Sequence, residues 1–164
     1  RDKLSNEQLD KYRLSDCSSR QVKLLEVERL TPYVVDSKDS VSFRVRFCKT
    51  DNTVKKICLN TLVEDILTDN RVGLTCSEVY DMPSGGDGVH EFVVTLNHLN
   101  LKPGAYKVDF WLSAEPMVNS WNLYDAVYDA LTFEVQTYDQ KTIGGWDASF
   151  GFNYFDGCET KLIQ

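Results

Sequence analysis

At 164 residues with a formal net charge of −7, 42% hydrophobic and 26% charged residues, the chain has the length and composition of one globular domain with its own core. The acidic balance excludes a phosphate-backbone binder, which needs a dense basic surface, so no nucleic acid partner is expected. No apolar run has the length that crosses a bilayer.

Taken in chain order, Leu4 to Leu14 reads as a short helix, since Ser5 and Gln8 have capping-box spacing and Leu4 and Leu9 can close a hydrophobic staple. Ser15 to Arg20 then reads as a linker, which divides the chain into a helical linker segment, 1–20, and a β-sandwich, 21–164. Val22 to Leu30 is the first strand, broken by Thr31-Pro32 and a polar turn through Asp36 and Asp39. In the next strand Val41, Phe43, Val45 and Phe47 alternate with Ser42, Arg44, Arg46 and Cys48. That pattern buries one face and leaves two guanidinium groups on the other. After an Asp51-Asn52 turn, Val54 to Val63 has strand period at Ile57, Leu59, Thr61 and Val63, and Arg71 to Val79 is a further strand with Val72, Leu74 and Cys76 on one face.

Ser84-Gly85-Gly86-Asp87-Gly88 neither leads from a strand into a helix nor ends in Lys-Ser or Lys-Thr, so it reads as a hairpin connection and not as a phosphate cradle. Val89 to Leu96 returns as a strand with Phe92, Val94 and Leu96 inward. Past the Pro103-Gly104 turn, Tyr106, Val108, Phe110 and Leu112 point inward while Lys107, Asp109, Trp111 and Ser113 point outward. A polar connection holding Trp121 and Tyr124 leads to another strand, with Leu131, Phe133 and Val135 inward. Gly144-Gly145-Trp146 breaks the pattern, and the alternation of Phe150, Phe152 and Tyr154 predicts one more strand, paired within the chain or across to a partner. About seven strands with closely spaced turns and no intervening helices predict an all-β antiparallel sandwich with a short N-terminal helix.

The order of the parts after Leu101 is specific. Leu101, Pro103, Gly104 and Tyr106, then Tyr124, Asp125, Val127, Asp129, Ala130, Leu131, Thr132, Phe133, Glu134 and Val135 give a pattern that resembles the C-terminal domain of Wzt-type ATPases of polysaccharide ABC exporters. The resemblance implies an immunoglobulin-like sandwich that is not itself an enzyme and that recognises an O-antigen-type glycan for export. It also implies an upstream ATPase, a membrane subunit as partner, a homodimer, and a place in the cytoplasm at the inner face of the cytoplasmic membrane. The chain itself holds no G-x-x-x-x-G-K-[ST].

A sugar offers hydroxyls around weakly apolar C–H faces, which calls for an aromatic ring beside planar hydrogen-bonding groups. Trp111, Lys107 and Asp109 on one outward face and Arg44 and Arg46 on another would form one groove floor if their strands shared a sheet. The alternative is that Trp111 is covered, by the N-terminal helix or by a partner subunit. Trp121, Asn122 and Tyr124 form a second candidate set on an end loop, with Tyr124 also suited to plugging the core edge. Asp125 and Asp129 could in principle pair as glycosidase acid and base, but without a pocket pattern they read as turn-forming. His90 and His98 lack ligand-spaced partners, and five cysteines without a Cys-x-x-Cys pair read as reduced thiols. No metal or cofactor is expected. The rival reading is a protein-interaction or dimerisation sandwich with no glycan ligand.

Overall fold

The computed structural model of the chain describes residues 1–14, 19–82, 88–118, 122–136, 146–153, 155 and 158–163. Its elements are β1 (Lys3–Ser5), α1 (Asn6–Leu9), β2 (Val22–Arg29), β3 (Val34–Asp36), β4 (Val41–Lys49), β5 (Lys56–Asp65), β6 (Arg71–Cys76), β7 (Tyr80–Asp81), β8 (His90–Leu96), β9 (Gly104–Ser113) and β10 (Leu123–Gln136). They form a four-stranded sheet in the order β1-β2-β4-β8, packed on a larger one in the order β3-β10-β9-β5-β6, with β7 added to β5. Except for the β3–β10 pair, which is parallel, the pairings are antiparallel. The arrangement β2-β4-β8 against β10-β9-β5-β6 is the immunoglobulin plan, in which two antiparallel sheets face each other across one core.

The core forms where the alternating faces meet. Val41, Phe43, Val45 and Phe47 of β4 pack against Tyr106, Val108, Phe110 and Leu112 of β9 and Leu131, Phe133 and Val135 of β10. Phe43 lies edge-on to Phe110 at 5.5 Å, and Tyr106 stacks on Phe133 at 5.5 Å. The inward sets read from the alternation of β4, β9 and the end of β10 all lie in this core. Tyr106 adds a polar tie, its hydroxyl donating to the Lys102 carbonyl across the turn that Pro103 and Gly104 make. This is a tyrosine corner, and it gives the Leu-x-Pro-Gly-x-Tyr sequence a physical purpose: the ring fills the core while its hydroxyl fixes the turn.

Three segments differ from the sequence reading. The expected helix over Leu4–Leu14 is a single turn, because Lys3–Ser5 pairs with Glu26–Glu28 of β2 and buries Leu4, which a lone short helix cannot match in stability. The Ser5 N–H still donates to Gln8 Oε1 at 2.9 Å, and Leu9 is buried as the staple requires. The later part of the polar connection expected before Leu131, from Leu123 onward and including Tyr124, is instead part of β10. That strand runs for 14 residues, its alternation broken by a bulge in which the register jumps from Val127↔Phe110 to Leu131↔Val108. Asp129 sits there at φ 52, a left-handed conformation that a short polar side chain tolerates. In the tail, residues 148–150 make one 3-10 turn and Asn153 only a single bridge to Leu101, while Tyr154 falls outside the described residues. Of the glycine-rich stretch 84–88, residues 84–87 are also outside them.

Candidate functional site

The outward residues of β9 lie on the free face of the larger sheet, and that face is covered. Trp111 is 2% exposed in a small second cluster with Leu62, Met117, Leu123 and Ala126, flanked by Leu14 and Tyr128. Asn60, opposite Trp111 on β5, fastens the cover: its Nδ2 donates to the Trp111 carbonyl at 3.1 Å and to Ser113 Oγ at 2.9 Å, and its Oδ1 accepts the Met117 N–H at 2.9 Å. Tyr128 tilts against the indole at 5.6 Å and the Arg71 guanidinium lies over it at 5.4 Å. Of the two environments the sequence allows for Trp111, burial beneath its own chain is the observed one.

Lys107 and Asp109 belong to an ionic cluster beside it. The Lys107 ammonium meets Asp69, Asp129 at 3.2 Å and Glu64 at 3.7 Å. The Asp69 hydrogen bond, with those to Asp129, holds its pKa above the ordinary lysine value against the opposing effect of burial. Asp109 accepts the Asp129 N–H at 2.7 Å, so it pins the β10 bulge. Burial pushes its carboxyl up to about 7, against the pull of the Asp129 amide, and the Glu64 and Asp129 carboxylates add to the rise.

Arg44 and Arg46 lie on β4, in the other sheet, so the single groove floor that would have joined them to Trp111 is not formed. They build a charge ladder across three strands: Arg44 to Glu28 at 3.1 Å, Arg46 to Glu26 at 3.3 Å and Arg46 to Glu91 at 3.2 Å. Tyr124 packs on the core edge and donates to the Lys56 carbonyl at 3.1 Å, while Asn122 beside it is exposed and Trp121 lies outside the described residues.

Asp125 and Asp129 take separate partners. Asp125 is buried, bound to the Arg13 guanidinium and accepting the Leu24 N–H at 2.8 Å, which ties the N-terminal segment and β2 to β10. Burial raises its pKa, opposed by the Leu24 amide and by Arg13. Asp129 serves Lys107 instead. His90 packs on Phe47 at 5.7 Å, and the described residues contain no group of three or more His, Cys, Asp or Glu side chains placed to hold a metal.

Two clefts open along the side of the sandwich where β6 and β8 are the edge strands. One of about 320 Å³ lies between those edges, lined by Thr61, Val72, Leu74, Thr95, His98 and Asn153 among others. The second, about 360 Å³, is lined by Phe47, Ile57, Tyr80, Asp81, His90, Glu91 and Phe92. Sequence reasoning does not reach it, because Tyr80 and Asp81 extend no alternating run and Phe92 reads as an inward residue. The available signal is the Tyr80-Asp81 pair itself, an aromatic beside a carboxylate just past the end of an edge strand.

A family profile described as the Wzt C-terminal domain matches residues 19–146. The chain belongs to the Wzt C-terminal domain family. Among solved structures, the crystal structure of the C-terminal domain of Wzt aligns with a TM-score of 0.66 at 17% identity, covering 92% of this chain and 88% of that one, which shows the shared fold. A β-glucosidase from Erythrobacter marinus aligns at a TM-score of 0.47 and 9% identity over 70% of this chain and 15% of its own. The alkylpurine DNA glycosylase AlkC of Pseudomonas fluorescens aligns at 0.49 and 11% over 71% and 31%. No curated protein sequence matches the chain. As a Wzt C-terminal domain, this chain is a domain of an ABC transporter, and no helix among its described residues is long and apolar enough to cross a membrane.

Proposed function

We propose that this Wzt C-terminal domain is the glycan-recognition module of a polysaccharide exporter, a binding domain and not a catalyst. The observation that carries the reading is the family match over residues 19–146, joined to a fold shared with the solved Wzt domain over 92% of the chain. The geometry suits recognition, since two sheets locked by an aromatic core form a rigid frame whose edge displays solvent-open clefts. In this reading an ATPase domain lies upstream of the sandwich, and the module engages an O-antigen-type chain in the cytoplasm, at the inner face of the membrane, for delivery to the membrane subunit. Pairing of two such modules as ATPase domains pair would add avidity to a modest single-site affinity. Trp121 and Asn122 are proposed glycan contacts. Trp111 and Asp109, being sealed, support the frame.

A second reading has its own observation. Phe150, Phe155, Leu162 and Ile163 are 63%, 84%, 86% and 85% exposed, and burial of these apolar side chains would favour association with another chain. Self-association is compatible with glycan recognition, and a pure interaction module is the alternative. Deleting residues 19–146 from the intact transporter, with its ATPase activity retained, separates them: glycan recognition predicts loss of polysaccharide from the cell surface together with loss of glycan retention by the protein. Normal export would contradict it.

A further inference from the structure

Residues 128–130 of β10 stand outside the pairing register, between Val127↔Phe110 and Leu131↔Val108, so other groups must hold them. The Tyr128 N–H donates to the Tyr12 carbonyl at 2.8 Å, and the Arg1 guanidinium donates to the Asp129 and Ala130 carbonyls at 2.9 and 3.2 Å. The Asp129 carboxylate meets the Lys107 ammonium at 3.2 Å, and the Asp129 N–H donates to Asp109 Oδ1 at 2.7 Å. Of these holds, the last rests on a fully buried carboxyl. Its other oxygen, Oδ2, is buried and has no hydrogen-bond partner among the described residues.

The hydrogen-bonding neighbour of Asp109 on β5 is itself an acid. Glu64 lies two residues beyond Leu62, which is opposite Asp109, and so on the same face. Two carboxylates have no proton to share, whereas an acid and a carboxylate bond well. The proton belongs on Asp109. Glu64 faces the Arg71 guanidinium at 3.6 Å and the Lys107 ammonium at 3.7 Å, which favour its charge, while burial pushes the Asp109 carboxyl up to about 7. Neutral Asp109 then donates through Oδ2 to Glu64 and accepts the Asp129 amide through Oδ1, so one side chain ties β5 to the bulge.

Loss of that proton to solvent reverses the balance. The charged groups around the site are Glu64 from β5, Asp69 from the turn before β6, Arg71 from β6, Lys107 from β9, Asp129 from β10 and Arg1 from the N-terminal segment. Lys107 already meets three carboxylates and Arg1 is committed to carbonyls, so a further carboxylate at Asp109 is repelled by Glu64 and Asp129 more than it is held. Relief comes from water reaching it. β5 and β9 pair without a register break, so the wall that gives is the bulge. Tyr128 moves with it, and its ring lies against the Trp111 indole at 5.6 Å.

We propose that Asp109 is a proton-operated latch on the β10 bulge: as the neutral acid it ties Glu64 to the Asp129 amide, and on ionisation it releases residues 128–130 and uncovers the flank of Trp111. The latch goes beyond glycan recognition and stands or falls without it.

Asp109→Asn supplies a permanent stand-in for the neutral acid, since an amide accepts through its oxygen and donates through its nitrogen. The test follows deuterium exchange of backbone amides in the ¹⁵N-labelled chain and in this variant from about pH 4 to about pH 8, with the Val45 amide of the inner strand β4 as reference. Comparison at equal pH cancels the intrinsic base catalysis of exchange. The Tyr128 and Asp129 amides should exchange alike in the two proteins near the acid end. With rising pH they should become faster in the wild type by up to about tenfold per pH unit, levelling off above about pH 7, with Val45 slower throughout. Glu64→Gln, which removes the repelling charge, should bring the levelling-off to lower pH. Parallel exchange in the wild type and Asp109→Asn overturns the latch, as does Tyr128 exchanging no faster than Val45, which places the effect in global unfolding. If Asp109→Asn does not fold, an unmoved levelling-off in Glu64→Gln overturns it.

Discussion

The outer faces of the two sheets come from the same kind of sequence and end in opposite environments. On the smaller sheet, Arg44 and Arg46 stand in a half-exposed ladder with Glu26, Glu28 and Glu91, where each pair keeps contact with water. On the larger sheet, Lys107, Asp109 and Trp111 alternate in the same way, yet Trp111 and Asp109 are sealed under Leu14, Met117 and Leu123 and the β10 bulge. Alternation establishes which side of a strand faces the core. It is silent on whether the other side is covered, because the cover comes from outside the strand, from Leu14 and from the connection and bulge that follow β9.

Substitutions can break or sharpen that contrast. The largest effect is expected at the join that brings the N-terminal segment onto β10: Arg13→Ala leaves Asp125 buried without its guanidinium, which should cost about 3–5 kcal/mol in urea unfolding. Trp111→Ala empties the cluster beneath the cover and should cost about 3 kcal/mol by the same measurement, with saccharide affinity unchanged in the folded protein. Asp109→Asn should alter the pH dependence. Because the native Asp109 carboxyl titrates near 7 and the unfolded one near 3.8, the native state binds more protons between those values. Asp109 therefore makes stability fall as pH rises through that window, and denaturation curves of Asp109→Asn at a series of pH values should show the fall reduced. The smallest effect belongs to the open face: Arg44→Ala with Arg46→Ala should cost under about 1 kcal/mol in low salt, less in high salt. A large loss there would mean that the two faces are not the contrast described.

Much of the frame is legible in the sequence because period-2 alternation and turn residues act locally. β4 and β9 carry both, and their inward residues are the observed core. The tyrosine corner is visible as Leu-x-Pro-Gly-x-Tyr, although the hydroxyl's partner is not. The bulge in β10 reads as a loop since three residues, 128–130, oppose one on β9 and shift the pattern mid-strand. β1 is hidden for a different reason: a three-residue strand exists only through its pairing with β2. The site is the least legible part. Trp111 looks available because its strand face is outward, whereas the cleft at Tyr80 depends on β7 meeting β5 and on β8 lying beside it, long-range contacts that no local pattern encodes.

The most direct measurement is calorimetric titration of the chain with the polysaccharide that its own exporter carries, beside unrelated polysaccharides. Saturable heat with that polysaccharide alone, retained in folded Trp111→Ala, is the predicted result. Absence of heat with every polysaccharide, from a chain shown to be folded, would contradict glycan recognition and leave the exposed apolar residues near the end of the chain, Phe155, Leu162 and Ile163, as the feature to explain.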